Sequence, residues 1–121
     1  SREQACLAIM NRLQETSGLP TPTPREIERH DAILVLGEDP VQSAARLGLS
    51  LRQAVLSRRE ELAEKIGVPV WNAEAVKTLG QDRYYPLHIV WPAPTELDSV
   101  AVARHALAPD DIARLGFAVA H

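Results

Sequence analysis

Apolar residues recur along this chain in two rhythms, one helical and one extended. From Glu3 to Glu15, the positions Ala5, Ile9 and Leu13, with Cys6 and Met10 beside them, return at steps of three and four and predict a helix. Gly18 ends it and Pro20 prevents a restart. Leu19 to Pro24 reads LPTPTP. Three prolines in five residues fix φ and hold each preceding residue extended, so this segment is a stiff connector. Pro24 to Glu28 is suited to one helical turn with Thr23 as its cap. Asp31 to Gly37, DAILVLG, sets consecutive aliphatics between a charge and a glycine, the pattern of a strand buried on both faces. The strand runs into Gly37-Glu38-Asp39-Pro40 and then into a helical pattern.

That pattern extends from Val41 to Ile66, with Val41, Ala44, Leu47, Leu51, Val55, Leu62 and Ile66 near one stripe. Ser57-Arg58-Arg59-Glu60-Glu61 is polar enough to mark a break or a solvent-facing stretch, and Gly67 with Pro69 terminates the helix. A shorter helix is expected from near Pro69 or Asn72 to Leu79, with Val68 to Trp71 as a rival extended piece. Leu87 to Trp91, LHIVW, is a second candidate buried strand. Thr95 and Asp98 resemble a capping box opening a short helix to about Ala106. Ala108-Pro109-Asp110-Asp111 opens a last helix that continues to His121.

The expected fold class is α/β: a small parallel sheet of at least two strands, near 32–37 and 87–91, with flanking helices. A long helical connection between two buried strands makes them parallel neighbours. Two strands are few for a stable sheet. Completion is expected from outside residues 1–121 or from Val68 to Trp71. Residues 1–121 read as a single α/β domain, and the last helix, which meets no stop signal, reads as part of a larger subunit.

Composition narrows the functional classes. At 121 residues the chain can bury roughly two-thirds of its unfolded surface. Thirteen Lys and Arg against 16 Asp and Glu give a net charge of −3, which is no footprint for nucleic acid or an anionic membrane. With a single cysteine, Cys6, neither an internal disulfide nor an all-cysteine cluster site can form. Its apolar neighbours favour buried packing over reactivity. No apolar stretch reaches the roughly 20 residues of a membrane span, so a soluble, intracellular protein or part of one is expected.

Candidate chemistry centres on Gly37, Glu38 and Asp39. A glycine turn between a buried strand and a helix places N–H groups where an anion can bind. Here a single glycine stands in place of a Gly-x-Gly-x-x-Gly series, and two carboxylates lie where a phosphate would. The competing reading is that they cap the helix themselves. His30, His88, His105 and His121 have no metal-ligand spacing, so no metal site is expected. No nucleophile elbow or carboxylate pair supplies catalytic residues. Trp71, Tyr84, Tyr85 and Trp91, four of the five aromatics, fall in the second half and mark either a contact surface or packing.

The strings LPTPTPREIERHDAILVLGEDPVQSAARLGLSLRQAV, YYPLHIVWPAPTELDSVA and LAPDDIARLGFAVAH resemble the large iron–sulfur subunit of bacterial respiratory NADH:quinone oxidoreductase (complex I). The similar part is its C-terminal region, of the molybdopterin oxidoreductase superfamily. The resemblance implies a Rossmann-like piece of a cofactor-binding domain, whose parent carries cysteine-bound iron–sulfur clusters elsewhere. It implies a structural or interaction domain that supports NADH-to-quinone electron transfer without catalysing it. The expected partners are the rest of the subunit and its respiratory neighbours. The expected place is the cytoplasm or the cytoplasmic face of the inner membrane, without membrane insertion. The alternative is a nucleotide- or pterin-binding domain using Gly37, Glu38 and Asp39. Two departures weigh against that. The superfamily's Gly-x-Asn-Pro turn here carries Asp39 in place of the amide, and an Asp-Pro-Arg-like strand end is replaced by Trp91-Pro92-Ala93. Each removes a polar contact or adds repulsion toward a pyrophosphate.

Overall fold

The computed structural model describes residues 1–80 and 83–121. Local capping chemistry sets most element boundaries. Helix α1 (Arg2–Ser17) opens with a reciprocal cap: Ser1 Oγ accepts from the Gln4 N–H, and Gln4 Oε1 accepts from the Ser1 amino group. It closes at Gly18, whose φ of 64° suits a residue without a Cβ. Helix α2 (Pro24–Ile27) is capped by Thr23, as its sequence predicts. Glu26 returns a carboxylate to the Thr23 N–H at 2.6 Å. That backbone hydrogen bond, with a second from the Thr23 hydroxyl, holds the Glu26 carboxyl below its ordinary range.

Strand β1 (Ile33–Leu36) leads through Gly37 into helix α3 (Pro40–Ser43) and helix α4 (Ala45–Lys65). The expected continuous helix from Val41 is thus broken at Ala44, with φ −151° and ψ 75°. Close packing accompanies the break: a Cβ on Gly48 would lie 3.0 Å from Val41 Cγ2 and 3.1 Å from Val41 Cα. The polar run Ser57–Glu61 does not break α4. Arg58 and Arg59 lie half-buried over the Tyr85 and Tyr84 rings, 5.3 Å and 4.3 Å from the ring centroids. Their aliphatic stems cover apolar surface while their charged ends find aromatic faces. Helix α5 (Ala73–Leu79) starts from Asn72, whose Oδ1 accepts the Ala75 N–H at 3.3 Å. Val68 to Trp71 adopts no strand.

Strand β2 (Leu87–Val90) pairs with β1 in parallel, Ile33 opposite Leu87 and Leu36 opposite Val90. A 3₁₀ turn (Glu96–Val100) follows, with Thr95 donating its N–H and hydroxyl to the Asp98 carboxylate. The helix expected to reach Ala106 stops there, and Ala103–His105 forms β3. This third parallel strand gives the order β1-β2-β3. Tertiary pairing decides it: Val102 N–H donates to Leu87 O at 2.9 Å and Trp91 N–H to His105 O at 3.1 Å. Three residues reading Ala-Arg-His carry no alternation by which a strand is recognised. Arg104 Nε also reaches back to Asp98 at 3.3 Å.

The fold class is therefore α/β, with a small open parallel sheet. One sheet face carries Val35, Leu87 and Ile89 against Leu51 and Val55 of α4 and against Leu97 and Val100. The other face carries Leu34, Leu36, His88, Val90 and His105. Helix α6 (Pro109–Ala120) lies across it, close enough that a Cβ on Gly116 would stand 2.9 Å from Leu36 Cδ2. This cover is incomplete. Val35 is buried, but Leu34 and Leu36 stay exposed, so β1 is not the doubly buried strand its composition predicts. Helix α1 buries none of its residues, and Cys6 is exposed rather than packed.

Candidate functional site

The turn after β1 is built by backbone needs. Gly37 sits at φ 75°, and its N–H donates to Val90 O at 2.9 Å, extending the ladder by one rung. Asp39 is buried, and its Oδ1 accepts the Val41 N–H at 3.1 Å, capping α3. The Asp39 N–H donates to Glu38 Oε1 at 3.0 Å, and the Asp39 carbonyl accepts from Ser43 Oγ at 3.1 Å. The structure thus keeps Gly37, Glu38 and Asp39 together, with the N–H groups of Gly37, Asp39 and Val41 already donating within the chain. An anion would have to displace two carboxylates that occupy its place. The strand order is also consecutive. Among the described residues it has no reversal.

Replacing Asp39 by alanine is expected to cost about 0.5–2 kcal/mol, the range for a lost N-cap, whereas Asp39→Asn, which keeps an acceptor, stays within a few tenths of wild type. Urea titration of the two variants checks this. Equal losses would show that the charge, not the cap, matters here.

A cavity of about 390 Å³ opens beside this turn, at the carboxyl ends of β1 and β2, lined by Leu36, Gly37, Trp91, Pro92, Ile112 and Gly116. Its walls offer apolar contact and no charged side chain. Cys6 is one thiol, against the four an iron–sulfur cluster takes, so these residues do not fit such a cluster. Among the described residues, no group of three or more His, Cys, Asp or Glu is placed to hold a metal ion. No described helix is long and apolar enough to cross a membrane.

Two constellations escape a reading of spacing alone. His88 and His105 stack with ring centroids 6.5 Å apart and planes 7° from parallel. They meet because the β2–β3 register sets Val90 opposite His105 on the sheet face that also carries His88. Recognising β3 was the missing signal. The second is the pairing of Arg58 and Arg59 with Tyr85 and Tyr84. Arg59 donates to the Tyr84 hydroxyl, and the Tyr85 hydroxyl donates to Glu61. That bond to Glu61 raises the Tyr85 pKa above its ordinary value. The tyrosines therefore serve packing between α4 and the approach to β2. Trp71 is exposed, and Trp91 lines the cavity beside Gly37.

No family model matches the chain. Curated proteins do, along its whole length. It is 48% identical over 121 residues, 100% of its length, to the G subunit of NADH-quinone oxidoreductase from Pseudomonas putida. It is 48% identical over 119 residues to the same subunit of Shewanella oneidensis, and 40% identical over 119 residues to that of Escherichia coli, covering 98% of its length in each case. The chain is homologous to one segment of this oxidoreductase subunit. It spans 13% of the length of these relatives. The resemblance carried by DAILVLGEDP, YYPLHIVWPAP and LAPDDIARLGFAVAH is thus a homology that extends through α1 as well.

Proposed function

We propose that residues 1–121 form one α/β domain of the G subunit of an NADH-quinone oxidoreductase, acting as a structural and interaction element of that respiratory complex. The observation that carries this reading is the apolar surface left without cover. Leu7, Ile9, Met10 and Leu13 of α1 and Phe117 and Val119 of α6 are all exposed, Phe117 to 72%. Exposed apolar surface on this scale marks a contact with other protein. The domain's partners are then the rest of the subunit and neighbouring subunits, on the cytoplasmic side of the membrane. Electron transfer from NADH to quinone runs through iron–sulfur clusters held by other parts of the subunit. In this reading Gly37, Glu38 and Asp39 cap and turn the chain, and the superfamily's cofactor contacts are absent from this segment.

The test is the full-length subunit with this segment deleted. The amount of assembled complex is expected to fall, with the NADH–quinone activity of each assembled complex unchanged. A complex that assembles in full but has lost turnover would give the segment a catalytic or cofactor role and overturn the reading.

A further inference from the structure

We infer that His88 and His105 form a site for a divalent ion of the zinc class, held between β2 and β3. The two histidines have no metal-ligand spacing along the chain; the β2–β3 ladder brings them together. His88 stands opposite Ala103, and Val90 opposite His105. Side chains two positions apart share a face of a strand, so His88, Ala103 and His105 lie on one face of the sheet. The two rings are 6.5 Å apart between centroids and 7° from parallel. Zinc takes an imidazole nitrogen at about 2.0–2.1 Å, and that nitrogen lies about 1 Å from its ring centre. Two rings can therefore share an ion when their centres are up to roughly 6 Å apart. Small changes in χ1 and χ2, the second of which is broad for histidine, close the remaining gap and turn one nitrogen of each ring to a common point.

The surroundings suit such an ion. Both histidines are exposed, so solvent reaches them. By contrast, His30 Nδ1 lies 2.9 Å from Glu26 O and is engaged locally. Arg104, between Ala103 and His105, takes the other face, where its Nε pairs with Asp98 at 3.3 Å, so its charge does not stand against a cation here. A cavity of about 280 Å³ lies beside the rings, lined also by Leu34, Val90, Leu115 and Val119. It leaves room for the waters that complete four-coordination. Imidazole donors suit zinc, copper and nickel rather than magnesium or calcium. With two protein donors the ion exchanges with solution, unlike the four-ligand structural sites. What it adds is a link across the ladder to β3, a strand of three residues at the sheet edge.

Hydrogen exchange in the intact subunit with added zinc chloride tests the site without reference to activity. The Val102 N–H donates to Leu87 O at 2.9 Å and reports on the β2–β3 ladder. Zinc at about ten times its dissociation constant should slow exchange across residues 102–105 about tenfold, because opening the ladder separates the two ligands. His88→Ala and His105→Ala should each abolish the slowing. Unchanged exchange of the β1–β2 amides without zinc shows that the variant sheet is intact. Ala103→His, opposite His88 and on the same face as both rings, supplies a third nitrogen. It should give the same slowing at roughly a tenth of the zinc or less, and it decides the matter if an alanine variant loses the sheet. No slowing in the wild type up to about 1 mM zinc would overturn the inference. So would slowing that persists in either alanine variant, or an Ala103→His variant that needs as much zinc as the wild type.

Discussion

Truncating Ile89 to alanine is expected to lower the unfolding free energy by about 2–5 kcal/mol, the range for removing a large aliphatic from a core that cannot close over the gap. Ile89 is fully buried at the centre of β2, the middle strand of three. It belongs to one cluster with Val35 and Leu87 in the sheet, Leu51 and Val55 in α4, and Leu97 and Val100 in the 3₁₀ turn. Three separate segments thus contribute to the cluster in which this side chain lies. Since a domain of this size is stable by only about 5–15 kcal/mol, the variant should show a large drop in its urea midpoint. Met10→Ala on α1 is the comparison. Its side chain is exposed, so a change within about 0.5 kcal/mol is expected in the isolated chain. Similar losses for the two would mean that α1 is part of the core.

Replacing Gly37 by valine is the second large effect, with an expected cost of at least about 2 kcal/mol. Two causes add. At φ 75° any L residue clashes with its own backbone, and a β-branched one most severely. A Cβ there would also stand 3.4 Å from Ile112 Cγ2, so the γ-methyl groups of valine would press against α6. Gly67 separates the two causes. It has nearly the same φ, 76°, and nothing within 4 Å of its would-be Cβ. Gly67→Val should therefore cost only the backbone part. Urea titrations of both variants measure the difference. If they lose the same, α6 does not press on the turn after β1.

The candidate turn was readable as a short string, and its chemistry was not. Gly37 before two carboxylates and a proline fits either an anion cradle or a self-capped helix. Only the hydrogen bonds that Asp39 and Glu38 accept and the Gly37 bond to Val90 show where the donors go. The histidines show the same limit. His88 and His105 are 17 positions apart, and nothing in that interval signals a stack until the strand register sets them on one face.

Order along the chain was enough for whatever depends on neighbours within one turn of helix or along one strand. The caps at Thr23 and Thr95, the glycine stop of α1, and the aliphatic runs of β1 and β2 belong here, because their bonds close between residues two to four apart or their pattern repeats locally. Long-range packing and pairing settled the rest. Ala103–His105 became a strand because β2 offered it a ladder, against a local pattern that favours helix. The helix expected from Val41 is interrupted at Ala44, where Gly48 packs closely on Val41. The helical stripe of α1, which reads as a core face, meets no core among the described residues. Periodicity states that a face is apolar. What covers that face is settled by segments distant in the chain, whose register and packing no local spacing encodes.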